Sequence, residues 1–112
     1  RLYCAGALAA AYEALGGKTM YFGKPHPPIY DLARRRLAAL GARRDPQILC
    51  IGDGIATDVQ GGMAEGLDTL FVTGGICAAE FGPDLAHPDK ALLEAFLTEK
   101  QLSATYSIAT LR

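Results

Sequence analysis

The chain has 112 residues, 50% of them apolar and 21% charged, the size and composition of one globular domain with no room for a second core. Its formal net charge of −1, mixed in sign along most of the length, gives no electrostatic reason to expect nucleic acid or an anionic membrane as partner. No apolar stretch approaches the roughly 18–20 residues of a spanning helix, and the start of the chain lacks the order of a signal peptide.

Ala5 to Leu15 is rich in Ala and Leu, with Gly6 the only breaker, and Gly16-Gly17 closes it as a C-terminal cap would; this predicts a helix. Thr19-Met20-Tyr21-Phe22 is a short β-prone run ending at Gly23, and the prolines of Lys24-Pro25-His26-Pro27-Pro28 forbid further pairing, so Lys24 is expected at a strand end. From Ile29 to Leu40 the residues Ile29, Leu32, Ala33, Leu37 and Leu40 recur at helical spacing, with Pro28 suited to the first turn and Gly41 to the exit. Arg34 to Arg36 and Arg43-Arg44 read as solvated surface.

Ile48 to Ile51, between Pro46 and Gly52, is too short for a helix and predicts a strand buried on both faces. A helix over Thr57 to Glu65 follows, with Met63 on its apolar side beside Val59, and Thr69 to Val72 repeats the buried-strand pattern. A helix near Lys90 to Thr98 and a last short strand at Thr105 to Ile108 complete the series. Strands alternating with helices over short connections predict an α/β fold with a parallel sheet.

Ligands of open parallel sheets bind outside the carboxyl ends of the strands, where neighbouring loops converge. Two predicted strand ends bring charge there: Gly23-Lys24-Pro25, and Gly52-Asp53-Gly54-Ile55-Ala56-Thr57-Asp58. Asp53 and Asp58 offer hard oxygen ligands suited to Mg²⁺, which keeps several waters and takes one or two protein carboxylates plus substrate phosphate. Gly52 and Gly54 are expected to let the backbone turn sharply around the ion. Lys24 is a compact cation able to offset phosphoryl charge. Each residue also has a plainer role: an Asx turn or helix N-cap for Asp53, a helix dipole partner for Asp58, a surface position for Lys24. Their joint occurrence at two strand ends favours a phosphate and metal site. Thr73, Gly74 and Gly75 follow another strand to the same edge, where their amides either line the site or form a plain turn. Tyr21 and Tyr30 read as packing residues, His26 as a residue stiffening its loop, and His87 as a loop residue without a role.

With those residues in view, YFGKPHPPIYDLA followed by ILCIGDGIATDVQGGMAEGLDTLFVTGGI resembles the third and fourth motifs of haloacid dehalogenase (HAD) superfamily phosphatases, in particular subclass IIA, whose texture includes GDxxxTD and GxxxGLxTLxVxxG. The resemblance implies a Rossmann-like three-layer α/β/α core present as its C-terminal half. It assigns residues 1–17 to the end of the cap and the helix returning to the core, and residues 18–112 to the core, with Ala104 to Leu111 as the closing strand. It implies that Lys24 binds the phosphoryl group, that Asp53 ligates Mg²⁺, that Asp58 supports the metal directly or through a water, and that the substrate is a small phosphorylated metabolite.

The family's nucleophile belongs to a DxD motif, and no Asp-any-Asp tripeptide occurs in these residues. The chain, which opens at Arg1 without an initiator methionine, is therefore expected to be a piece of a longer Mg²⁺-dependent phosphomonoesterase and inactive alone. The strand carrying the nucleophile would pair beside Ile48 to Ile51, so an open edge is expected there, to be met by the N-terminal half of the core or by another chain. The alternative is a non-catalytic phosphate- or metal-binding or association module of the same fold. Cys4, Cys50 and Cys77 form no CxxC, and Cys50 lies in an apolar run, which favours a reducing cytoplasm.

Overall fold

Three short parallel strands, β1 (Leu49–Gly52), β2 (Asp68–Val72) and β3 (Tyr106–Ile108), form a sheet in the order β1-β2-β3. The computed structural model describes residues 3–41 and 48–111; Arg43, Arg44 and Pro46 lie outside the described residues. Leu49 pairs with Asp68 and Gly52 with Phe71, while Leu70 pairs with Tyr106 and Val72 with Ile108, so all three strands deliver their carboxyl ends to one rim. The parallel α/β architecture predicted from the alternation of patterns is present.

The core lies on the face of β2 that carries Thr69 and Phe71. Phe71 is fully buried and clusters with Val59, Phe81 and Leu93. Its ring meets Phe81 edge-on at 5.8 Å, and Phe81 meets Phe96 edge-on at 5.3 Å, the arrangement that ring quadrupoles favour. Phe81 comes from the 3₁₀ turn Ala78–Phe81, and Leu93 and Phe96 from the helix Lys90–Glu99, whose N-cap Asp89 accepts from the amides of Ala91 and Leu92 at 2.8 and 3.1 Å.

The other α-helices among the described residues are α1 (Ala5–Ala14), α2 (Pro27–Ala39) and the five-residue α3 (Gln60–Ala64); the Lys90–Glu99 helix is α4. Gly16 and Gly41, just past α1 and α2, have φ of +87° and +120°, the left-handed conformation expected of glycines at those exits. Gly62 of α3 sits so close to the sheet that an added Cβ would lie 2.5 Å from Thr69 Cγ2. The Arg34 guanidinium of α2 pairs with Glu65 just beyond α3.

Four expectations are corrected. Thr19 to Phe22 is not a strand: none of the three strands runs beside it, and a β-prone segment without a partner has no ladder to join. The predicted Thr57 to Glu65 helix begins as a π-helical turn, Ile55–Val59, before α3. β1 is not buried on both faces, since Leu49 is 42% and Ile51 50% exposed; among the described residues β1 pairs only with β2, which makes it an edge. Met63 is not in the core with Val59, being half exposed with its sulfur beside the Ser103 hydroxyl.

Candidate functional site

β1 ends at Gly52, and the next seven residues make the chemistry of its carboxyl end. The Gly54 carbonyl accepts from the amides of Thr57, Asp58 and Val59 at 3.3, 2.7 and 3.2 Å, winding residues 55–59 into a wide π-helical turn. Such turns are rare and concentrate at functional positions. This one folds the Asp58 carboxylate back over the strand end, where Oδ2 accepts from the Gly54 amide at 3.0 Å. Oδ1 receives the Lys24 ammonium. The Asp58 side chain is largely buried and that of Lys24 about half exposed, so the lysine keeps donors available toward solvent.

Gly52 and Gly54 are not needed for their turning freedom, since neither has a positive φ. They are needed for space. A Cβ on Gly52 would lie 2.1 Å from Asp58 Cγ, and one on Gly54 would lie 2.1 Å from Thr57 Oγ1. The close approach of Asp58 to the backbone therefore depends on the absence of side chains at both positions.

Asp53 turns toward the loop after β2, where its Oδ2 accepts from the Ile76 amide at 3.0 Å. Gly75 makes the same kind of room: a Cβ there would sit 2.2 Å from Asp53 Oδ2. The sequence reading placed Thr73, Gly74 and Gly75 at this rim. The hydrogen bond comes one residue later, from a main-chain group that no residue-type pattern encodes.

Lys24 reaches the rim from a turn, closed by the His26 amide on the Gly23 carbonyl at 3.0 Å, at the end of a segment that is not a strand. On that segment the Tyr21 ring lies 5.0 Å from the His26 ring, and the Tyr21 hydroxyl donates to Glu13 of α1 at 3.2 Å. A cavity of about 370 Å³ opens beside Lys24 between Ala5, Ala9, Met20 and Phe22. On the far side of the turn, burial pushes the Tyr30 hydroxyl pKa up, and the negative charges near it act in the same direction. The Tyr30 hydroxyl packs where a Cβ on Gly61 would fall, consistent with its packing role. His87 stays in its loop, paired with Asp84 at 3.0 Å.

The structure thus joins Lys24 to Asp58 directly and brings Asp53 to the same sheet rim through the strand end the two aspartates share. Among the described residues no three His, Cys, Asp or Glu side chains gather as a ligand set. Two carboxylates fit an ion that keeps most of its water, and Asp53 uses only Oδ2 on Ile76.

Fold and rim together define an open-sheet α/β domain in which two aspartates follow the end of β1 and a lysine from a separate turn pairs with one of them. A family model described as HAD-hydrolase-like matches residues 21–98. Over 96 residues the chain is 30% identical to ribonucleotide monophosphatase NagD of Escherichia coli (strain K12), the match covering 80% of this chain and 37% of the relative. Over 72 residues it is 38% identical to dihydroxyacetone phosphatase of Corynebacterium glutamicum (strain R), covering 63% of this chain and 25% of that protein. A haloacid dehalogenase-like hydrolase from Brucella suis 1330 superposes with a TM-score of 0.70 at 38% identity, over 98% of this chain and 38% of that one. A possible sugar phosphatase from Cytophaga hutchinsonii, 24% identical, shares the fold with a TM-score of 0.68 over 96% of this chain and 34% of that one. The chain belongs to the HAD-hydrolase-like family. It spans a little over a third of the length of NagD.

Proposed function

We propose that the full-length protein containing this chain is a Mg²⁺-dependent phosphomonoesterase acting on a small phosphorylated metabolite, and that this chain contributes Lys24, Asp53 and Asp58. The observation that carries the reading is the Lys24–Asp58 ion pair at the carboxyl end of β1, on a turn whose glycines leave the space that the Asp58 carboxylate fills. It is supported by the phosphatase names of the relatives in the two bacterial species above.

In this reading Lys24 holds a phosphoryl oxygen of the monoester, and Asp58 keeps the ammonium in place by pairing with it. Asp53, with Asp58 directly or through a water, holds Mg²⁺, which when bound supplies charge stabilisation to the transferring group. The nucleophile is an aspartate from outside these 112 residues, because no Asp-any-Asp tripeptide lies within them. Its carboxylate attacks phosphorus, the P–O bond to the alcohol breaks, and the alcohol leaves with a proton. Water then hydrolyses the acyl phosphate, returning the carboxylate and releasing inorganic phosphate.

Residues 1–17 belong to the end of a cap and residues 18–112 to the C-terminal half of the core. The edge of β1 that has no partner strand among the described residues, with Leu49 and Ile51 exposed beside it, accepts the rest of the core. Cys4, Cys50 and Cys77 are free thiols, which agrees with a reducing cytoplasm, and no helix among the described residues is long and apolar enough to cross a membrane. The test is hydrolysis of a chromogenic phosphate monoester by the full-length protein, with and without Mg²⁺. Activity that requires the ion and collapses in Lys24→Ala and Asp53→Asn is expected. A full-length protein that binds Mg²⁺ and phosphate without turnover would favour the non-catalytic module.

A further inference from the structure

We propose that the main-chain loop Gly74-Gly75-Ile76 is the positioning element for Asp53, fixing one carboxylate oxygen so that the other is held for the metal ion. This rests on the reading of Asp53 as a Mg²⁺ ligand and adds residues to it.

The loop is fastened on one side to the end of β3. The Thr73 amide and hydroxyl both donate to the Ile108 carbonyl, at 2.9 and 3.2 Å, and Thr73 is buried. The Gly74 amide donates to the Ala109 carbonyl at 2.8 Å, and a Cβ on Gly74 would lie 2.4 Å from that oxygen. Two residues later the Ile76 amide donates to Asp53 Oδ2 at 3.0 Å, across a Gly75 with no room for a Cβ against that carboxylate. The Ala78 amide, donating to the Gly75 carbonyl at 3.1 Å, closes the turn.

Two features separate a positioning role from simple packing. Ile76 as a residue is 78% exposed, so what it brings to the site is its N–H. A main-chain donor, moreover, cannot rotate away as a side chain can, and this one is anchored to a strand of the same sheet. A hydrogen bond to one oxygen of a ligating carboxylate orients it and tunes its affinity for the ion, as outer partners of metal ligands generally do. Asp53 is then aimed from two directions: its own Cα is set by the end of β1, its carboxylate by a loop hung from β3.

The experiment titrates Mg²⁺ calorimetrically into the metal-free full-length protein and into Ile76→Ala, Ile76→Pro, Gly75→Ala and Asp53→Asn. Ile76→Ala keeps the N–H and is expected to bind Mg²⁺ like the parent. Ile76→Pro removes the donor and Gly75→Ala displaces the carboxylate, so both are expected to bind roughly 10- to 100-fold more weakly. In each, turnover should recover at saturating Mg²⁺, which a general folding defect would not allow; metal-free melting curves show which variants fold, and Gly75→Ala stands in if the proline variant does not. Parental affinity in both Ile76→Pro and Gly75→Ala, alongside loss in Asp53→Asn, overturns this inference alone. Equal weakening in Ile76→Ala and Ile76→Pro overturns it too, since the side chain would then be responsible. Parental affinity in Asp53→Asn overturns the assignment of Asp53 on which it rests.

Discussion

Replacing Gly52 by alanine should cost the full-length protein stability through Asp58, 6 positions away in sequence. The new Cβ would lie 2.1 Å from Asp58 Cγ and 2.4 Å from its Oδ2, too close for the side chain to stay where it is. Moving the carboxylate breaks the bond from the Gly54 amide, worth roughly 1.5–3 kcal/mol for a charged acceptor. It also breaks the pair with Lys24, whose half-exposed ammonium limits that contribution to under about 1 kcal/mol. Together these predict a loss of about 2–4 kcal/mol. In a urea titration this is a midpoint lowered by about 1–2 M with an unchanged slope, taking the slope as roughly 2 kcal/mol/M. The decisive arm is a double-mutant cycle. In an Asp58→Gly background all three colliding atoms, the Asp58 Cβ at 2.5 Å included, are gone, and Gly52→Ala should be nearly neutral. Costs that add within about 0.5 kcal/mol would mean that the two positions do not interact, and would refute the steric account.

Three further outcomes follow from particular groups. The isolated 112-residue polypeptide, lacking any Asp-any-Asp tripeptide, should release no phosphate from a chromogenic monoester with Mg²⁺ present, and measurable Mg²⁺-dependent turnover would contradict the assignment of the nucleophile to another segment. Asp89→Ala removes the cap that accepts two amides at the start of α4 and should destabilise by roughly 0.5–2 kcal/mol in thermal or urea unfolding; no change would show that the first turn of α4 does not depend on it. Burial holds the Cys50 thiol above its usual pKa, with Asp58 and Glu65 adding to the shift and Arg34 opposing it. Alkylation followed by peptide mass mapping should thus show Cys50 lagging exposed Cys4 near the ordinary thiol pKa of about 8.5 and gaining only as the pH rises further; equal rates there would contradict the burial.

Much of the frame was legible because it depends on local chemistry. The apolar runs before Gly52 and before Thr73 are strands, the helix opened by Pro27-Pro28 ends at a left-handed Gly41, and Asp53 follows the end of β1, whereas Lys24 comes from a turn and not from a strand end. What was misread depends on neighbours. Thr19 to Phe22 has strand composition, yet pairing needs a partner strand, which composition does not report. Leu49 and Ile51 look buried in a four-residue apolar run, while their exposure reflects an edge with nothing described beside it.

The glycines of the Asp53-Asp58 turn were recognised as necessary for the wrong reason. A glycine chosen for φ and one chosen for space look identical in sequence, and only the position of the Asp58 carboxylate separates them. The Ile76 amide was invisible for a related cause, since every residue but proline carries the same donor and only the fold decides which one meets Asp53.

The central claim is that Lys24, Asp58 and Asp53 form one phosphate and metal site at the carboxyl end of β1. A crystal structure of the full-length protein with Mg²⁺ and inorganic phosphate tests it most directly. The account predicts an ion at about 2.0–2.1 Å from an Asp53 oxygen, with Asp58 in or next to its water shell and the Lys24 ammonium on the phosphate. An ion and anion bound elsewhere, with Asp53 and Lys24 touching neither, would contradict it.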